Sequence, residues 1–536
     1  MRKIKLYLFM ITLLCIAGSM SACGKEDNSS KVTVYVEYNG SFGSEDEEVE
    51  KAIEEKFYKD TGLEIDLQIE AANTDMLGQK IVTAMADEKA AIDGFVNHYS
   101  SDGAINSYIL DGMVMDLTDL VKELAPSFYA SFNSETDPKG EILNAGTLDG
   151  KLYALSAKFR PSGWALLIRK DYMEKTSFNP DDYDILNENH KAMSLDDFKQ
   201  MLVEMKNNTD VVRPLVGRPW SLDYFFTSPF GAVTYSEYVL DKDNNLIPAY
   251  ADDAYLKTLE LYRWLQEERL WTENPSNAQN LLVDFISGKG AVYCDWPEIT
   301  SQISVARQLY NATGVESVVI EPFLKEGSDT ETNGNSYIKE AFEALAIPLK
   351  SKNYELLLKY IEWLYSDVEN YELAKYGIEG KHWVKIQGEH GEYYWDYPED
   401  KKEQYMNALP YSGKFCLIED YNMSDMLWAD YNEEEKTLVN KVREFPVYPT
   451  DGYVTDGMIL PSIPATEREL RMANTAHYGE YTLPRSYAWS DAAFPDGQTI
   501  ESMWQLMKNN LYTQYSAIID FRTQAYRDII ENQQKQ

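Results

Sequence analysis

Cysteine, histidine and positive charge are all in short supply in this chain of 536 residues, and each shortage excludes a class of chemistry. Its four cysteines, at 15, 23, 294 and 416, have no CxxC spacing of the kind that serves structural metals or redox pairs. Two of them fall within the first 23 residues, which leaves Cys294 and Cys416 for the body. A disulfide between these two and a pair of unrelated free thiols are equally open, because spacing alone does not decide pairing. The five histidines (98, 190, 382, 390 and 477) form neither HExxH nor any other metal-ligand spacing, so neither a metal nor a cofactor is expected. Lysine and arginine total 50 against 88 aspartate and glutamate, a net charge of -38. So acidic a surface repels nucleic acid and anionic lipid headgroups, and argues against both as partners. After residue 17 no uninterrupted apolar run reaches membrane-spanning length, so the body is expected to be soluble. Internal repeats and low-complexity blocks are also missing.

What is present begins with a leader. Arg2, Lys3 and Lys5 precede an apolar run over 6–17 and then small residues, the parts of a secretory signal peptide. That run is short for a membrane span. Met20-Ser21-Ala22-Cys23 closes it and resembles a bacterial lipobox, in which an apolar residue and two small ones precede the cysteine that receives lipid. Met in the first of these positions departs from the usual Leu. Residues 1–22 therefore read as a signal peptide, and 23–30 as lipidated Cys23 with a flexible polar tether. The reading is an exported protein, lipid-anchored to the cell membrane on its extracytoplasmic face.

Beyond the tether, Val32, Val34 and Val36 alternate as a strand. Acidic residues 45–48 open a helix carrying Val49, Ile53 and Phe57, Gly62 stops it, and Leu63, Ile65, Leu67 and Ile69 alternate again. Strand, helix and strand in this order predict a parallel, right-handed βαβ unit. A helix over 75–90 and a strand over 92–96 follow. Further strands are predicted over 152–155, 165–168, 291–294, 315–320 and 344–348, with helices over 281–286, 354–365 and 503–530. Ser194 with Asp197 signals a capped helix start, and another helix carries Leu256, Leu259, Tyr262, Trp264 and Leu265. Repeated units of this kind predict α/β lobes with helical insertions. In open α/β sheets ligands sit beyond the carboxyl ends of strands, which nominates Tyr38 with Asn39 and Asn97 with His98.

Several pieces together resemble the solute-binding lipoproteins of bacterial ABC importers, family 1, in particular the large Gram-positive oligosaccharide-type group. They are Asp111-Gly112-Met113-Val114-Met115-Asp116-Leu117-Thr118-Asp119-Leu120 with Ala125-Pro126, Asp149-Gly150-Lys151-Leu152-Tyr153-Ala154-Leu155, and Ile168-Arg169-Lys170-Asp171-Tyr172. Phe230-Gly231-Ala232, Ser287-Gly288-Lys289 and Tyr376-Gly377-Ile378-Glu379-Gly380-Lys381-His382-Trp383 complete the set. The resemblance implies a two-lobed, type II periplasmic-binding-protein-like α/β fold with a hinge and an interlobe cleft that closes on ligand. It assigns 31–157 and 316–370 to the first lobe and 158–315 and 371–536 to the second, with the first crossing near 156–159. Membrane permease subunits are the implied partner of a monomeric, non-enzymatic carrier. Relatives often hold calcium after the helix corresponding to 195–206. Here Val211, Val212 and Arg213 supply no side-chain oxygen, so no metal is expected. Residues 481–490 lack the family's Ile-Thr-Gly stretch.

With 39 Tyr and 11 Trp, the chain has the flat rings that stack on sugar faces, and a sugar's hydroxyl rim asks for amide, carboxylate or guanidinium partners. Trp296 between Asp295 and Glu298 offers both kinds of group at a strand end. His382 and Trp383, placed by the turn of Gly377 and Gly380, come next, followed by Arg160, Trp164 and Trp220. The expected ligand is a carbohydrate or another polyhydroxylated small solute. The competing functions are a surface glycan-active enzyme, which needs two carboxylates across a scissile bond, and an adhesin or sensor partner without a transporter.

Overall fold

Val32, Val34 and Val36 alternate with Thr33 and Tyr35, and that period of two makes β1 (Lys31–Glu37) a strand with one aliphatic face. The computed structural model describes residues 30–535 apart from 38–41, 88–89, 100–104, 138–139, 149, 159–163, 233–237, 278, 297, 328–342, 446–467 and 496. Cys23, Tyr38, Asn39 and Arg160, all named above, lie outside the described residues. Asp46, Glu47 and Glu48 fill the first turn of α1 (Asp46–Thr61), where the helix dipole favours negative charge. Gly62 ends that helix at φ 74. β2 (Asp66–Ala72) then pairs in parallel with β1, so the βαβ unit forms as expected. Its strand begins later than the alternation suggested, because the ladder opens by pairing Lys31 with Asp66 and leaves Leu63 exposed. α2 (Thr74–Ala86), β3 (Gly94–His98) and β4 (Ala154–Ser156) complete the chain's first visit to this sheet.

A second sheet follows, made of β5 (Leu166–Arg169), β6 (Leu215–Gly217), β7 (Val292–Cys294) and β8 (Ser317–Ile320). Between its strands run α3 (Leu195–Asn208), α4 (Pro219–Phe226), α5 (Asp253–Glu267), α6 (Leu281–Ile286) and α7 (Ile299–Thr313). The strand order is β8-β5-β7-β6, with β6 and β7 parallel and β5 antiparallel to β7 and β8. The chain then returns: β9 (Glu343–Ala346) enters the first sheet, whose order becomes β2-β1-β3-β9-β4. α8 (Tyr354–Ser366) and α9 (Val368–Tyr376) follow, then a small sheet of β10 (Val384–Gln387), β11 (Tyr393–Asp396) and β12 (Leu427–Trp428). Among the described residues, α10 (Glu433–Arg443), α11 (Arg468–Ala488), α12 (Ile500–Thr513) and α13 (Ser516–Lys535) follow.

Each large sheet is buried on both faces. Val49, Ile53 and Phe57 of α1 pack with Leu357, Leu358 and Ile361 of α8 on one face of the first sheet. Leu77, Ile81 and Met85 of α2 cover the other. In the second lobe, α3, α5, α11 and α12 pack on one face around Trp271 and Trp504, while α6, α7 and α10 cover the other. This assigns two boundaries differently from the sequence. Ala374, Tyr411, Phe415, Leu417 and Ile418 belong to the first-lobe core, so the chain does not pass to the second lobe at 371. At the other end, β8 and Phe323 remain in the second lobe, and the return to the first comes after them rather than at 316. The single terminal helix expected over 503–530 is two, because the N–H groups of Gln514 and Tyr515 both turn back to the carbonyl of Asn510. That break lets Met507 and Leu511 on one side, and Ile518 and Ile519 on the other, share one core. Residues 481–490 lie mostly inside α11, a second-lobe helix. Cys294 and Cys416 are both free and sit in different lobes, which resolves the disulfide question.

Candidate ligand-binding site

β6 and β7 run parallel and end at Gly217 and Cys294, on the edge where antiparallel β5 begins and β8 ends. The two backbones approach closely there; a Cβ at Gly217 would fall 2.5 Å from the carbonyl oxygen of Cys294. Three segments leave this edge together. One precedes β5 and carries Trp164, which forms an antiparallel bridge with Glu298. Another follows β6 through Arg218 into α4, where Pro219 at the first turn starts the helix. The last follows β7 through Asp295 and Trp296 into α7.

Their aromatic side chains converge. Trp164, almost buried, stacks on Tyr224 with ring centroids 4.4 Å apart and 27° between planes. Trp296 meets Trp164 edge-on at 6.1 Å and lies 5.9 Å from Trp220. It is 52% exposed, so a broad indole faces outward from a wall already built by the other rings. Its backbone sits at φ 50, a left-handed conformation unfavourable for a non-glycine residue. Two contacts hold it there: the Gln302 amide donates to the Trp296 carbonyl at 3.0 Å, and Glu298 anchors the following turn. The Glu298 carboxylate accepts from the N–H groups of Thr300 (2.9 Å) and Ser301 (3.2 Å), capping α7. One oxygen of the Glu298 carboxylate is thus engaged by the helix start and helps to position Trp296. Asp295 lies 3.4 Å from the guanidinium of Arg218, and burial raises its carboxyl above the usual range while Arg218 opposes the rise.

The first lobe offers a different edge. β1 and β3 end at Glu37 and His98, β9 begins at Glu343 opposite His98, and β4 ends at Ser156. His98 Nε2 is 3.0 Å from the Glu37 carboxylate. Asn97 is buried and its side-chain oxygen accepts the backbone N–H of His98 at 2.8 Å, so it shapes the strand end. Burial, reinforced by Glu419 and Glu37 and opposed by His98, pushes the Glu343 carboxyl up to about 7. Beside this edge the first crossing carries Lys158, whose ammonium is 2.6 Å from the Asp420 carboxylate with both side chains shut off from solvent.

His382 and Trp383 do not join either edge. Both are buried: the Trp383 indole N–H donates to the Gly377 carbonyl at 2.8 Å, and His382 Nδ1 accepts the N–H of Ile378 at 2.9 Å. Gly377, at φ 87, makes that turn possible. The segment is stitched to α1, with His382 Nε2 at 3.4 Å and Lys381 at 3.1 Å from Glu45. Among the described residues, two groups bring three ligand-type atoms within 4.8 Å of one another: Glu45, Glu48 and His382, and Glu50, Glu54 and Asp66. In the first, Lys381 pairs with both carboxylates and offsets part of their charge.

The structure brings together Trp164, Trp220, Asp295 and Trp296, each named from the sequence, with Tyr224, Arg218 and Gln302, which were not. The spacing of Trp220 and Tyr224, one helical turn apart, was the available signal.

The fold and this edge can be set beside known proteins. A family model described as bacterial extracellular solute-binding protein matches residues 52–378, more than half of the chain. The chain belongs to that family. Its members act outside the cytoplasm, and among the described residues no helix of this solute-binding protein is long and apolar enough to cross a membrane. The N-glycan transport solute-binding protein NgtS from Streptococcus pneumoniae is similar over 94% of this chain and 99% of its own, with TM-score 0.62 and 14% identity. An HMO-binding, ABC-transporter-associated solute-binding protein from Bifidobacterium longum infantis matches over 93% and 99%, with TM-score 0.63 and 15% identity. FusA from S. pneumoniae, solved with kestose, matches over 94% and 100%, with TM-score 0.58 and 14% identity. At such identities the likeness establishes the two-lobed fold. No curated protein sequence matches the chain.

Proposed function

We propose that this solute-binding protein captures an oligosaccharide between its two lobes and presents it to an ABC importer in the membrane. The observation that carries the proposal is the aromatic wall of Trp164, Trp220, Tyr224 and Trp296 on the edge from which a crossing to the first lobe departs. A pyranose has one apolar face and a rim of hydroxyls. The exposed indole of Trp296 matches the face, and the Asp295–Arg218 pair beside it matches the rim. Solved relatives of the same fold carry the descriptions N-glycan transport, HMO-binding and kestose complex, which supports a glycan over a peptide or a metal. The role is capture without bond cleavage, as befits a binding-protein family. The leader and Cys23 favour lipid anchoring outside the cell, where the carrier acts as a monomer with permease subunits as its partner.

Thermal unfolding of the mature, unlipidated chain against oligosaccharides, peptides and small metabolites tests this, since a ligand that binds only the folded state raises the transition with concentration. The expected result is a shift from one glycan class with the glycan recovered intact. A cleaved product, or a shift from peptides alone, overturns the proposal.

A further inference from the structure

An open groove of about 820 Å³ lies along α11, lined also by Asn274, Pro275 and Ser276. Its floor and wall include Gly479, Arg485, Ser486 and Trp489. That volume falls within the ~300–1,000 Å³ typical of small-ligand sites. The groove's Asn274–Ser276 side follows a segment that runs beside the strand leading into the aromatic wall described above. Residues 271 and 272 run beside β6: Trp271 bridges in parallel with Leu215, its indole N–H donates to the Gly217 carbonyl at 2.8 Å, and the Gly217 N–H donates to Thr272 Oγ1 at 3.3 Å. Asn274–Ser276 therefore emerges at the same strand end as Arg218 and Trp220. On the other flank is α4, whose Asp223 takes the Tyr262 hydroxyl at 2.6 Å and is charge-coupled to Arg485. The helix of the wall thus faces the groove's Arg485 through Asp223, and Asn274–Ser276 follow the strand end that carries Arg218.

The groove lining carries Arg485 and Trp489 as hydrogen-bond donors, while the Thr482 and Ser486 hydroxyls donate to the carbonyls of Gly479 and Leu483. The Trp489 indole N–H is buried and has no acceptor among the described residues. The Arg485 guanidinium lies 5.0 Å from the Trp489 ring and 5.1 Å from the Tyr481 ring, which orients its fork of N–H groups. By contrast the carboxylate of Glu480 is already engaged by Asn510 (2.9 Å) and Tyr515 (3.0 Å). The end of the helix is fixed as well: Arg263 donates to the carbonyls of Ser490 (2.7 Å) and Ala492 (2.9 Å), so Trp489 is held in place before any ligand arrives.

We infer that this groove is a distal subsite for the same ligand, holding a sugar unit whose substituents present oxygen acceptors, such as an N-acetyl carbonyl or a carboxylate. The inference rests on the carbohydrate reading and extends it from one stacked ring to a longer glycan. The test is calorimetric titration of the mature chain with disaccharides and with longer members of the same manno-, fructo-, gluco- and lacto-oligosaccharide series, neutral and acidic. Three proteins are compared: wild type, Ser486→Trp, which fills the groove from an exposed helical position, and Trp489→Phe, which removes the N–H and keeps a ring. The longer glycan binds wild type about tenfold or more tightly than the disaccharide. Ser486→Trp abolishes that gain and Trp489→Phe reduces it, while disaccharide affinity is unchanged in both. Equal affinity for short and long glycans in wild type, or a length gain that survives Ser486→Trp, overturns the subsite and leaves the wall at Trp296 standing. Absence of binding by any saccharide overturns the carbohydrate reading, and the subsite with it.

Discussion

Trp296 spends conformational energy to be exposed: a non-glycine residue at φ 50 persists only where its surroundings over-determine it. Here those surroundings are Gln302, the Glu298 cap and two neighbouring indoles. Trp296→Ala is expected to leave stability nearly unchanged and to weaken glycan binding by about 2 kcal/mol, roughly thirtyfold in Kd, measured by titration calorimetry. Unaltered affinity would remove Trp296 from the site. Lys158 and Asp420 make the opposite case, a pair valued for where it is buried. Lys158→Met leaves a carboxylate shut away from water and is expected to cost about 3–5 kcal/mol in denaturant unfolding, much of it recovered by Lys158→Met with Asp420→Leu. A double variant no better than the single would contradict that view. At this scale the sequence was legible where chemistry is local. Trp296 was singled out by Asp295 and Glu298 around it, and the structure leaves its indole exposed. Trp383 misled, because a glycine-flanked tryptophan reads as presented, whereas Gly377 supplies the carbonyl that accepts its indole N–H and buries it.

Among elements, α7 links stability to recognition. Glu298→Ala removes its N-cap and is expected to cost about 1 kcal/mol of stability and to lower ligand affinity, because Trp296 loses one of its two anchors. A stability loss with unchanged affinity would show that Gln302 suffices. The first sheet's edge carries a pH dependence. In the folded protein the Glu343 carboxyl is raised from about 4.5 to about 7, so the folded state holds this proton more tightly than the unfolded chain does. Its contribution is therefore fully present below about 4.5 and is lost as pH rises through about 7. Glu343→Gln removes that slope: its transition temperature should gain on wild type as pH increases, with Glu37, His98 and Glu419 left in place. Parallel profiles for the two proteins would contradict the assignment. Strands with clean alternation and helices with a single apolar stripe were legible in the chain. The helix α4 was not, because Trp-Ser-Leu-Asp-Tyr-Phe-Phe following Pro219 is apolar on most sides and gives no stripe to count. Tyr224 was missed for a related reason: its partner Trp164 is distant in sequence, and only the second sheet brings them together.

Across the whole molecule, the two sheets are built from interrupted stretches of chain, so crossings are where one lobe can move against the other. The small sheet β10–β12 adds a third tie. Asp430, just past β12, is gripped by Arg307 of α7 and by Lys402, each at 3.0 Å. That arrangement joins a segment packed on the first lobe to a helix of the second, and no periodicity in the sequence announces it. The central claim is capture by closure of the lobes over the wall at Trp296. It is tested most directly by small-angle X-ray scattering from the mature chain with and without saturating glycan. The account predicts a smaller radius of gyration in the complex, and little contraction in Trp296→Ala at a glycan concentration a few times the wild-type Kd, where a site about thirtyfold weaker is mostly empty. A glycan that binds with full occupancy and leaves the radius unchanged would contradict it.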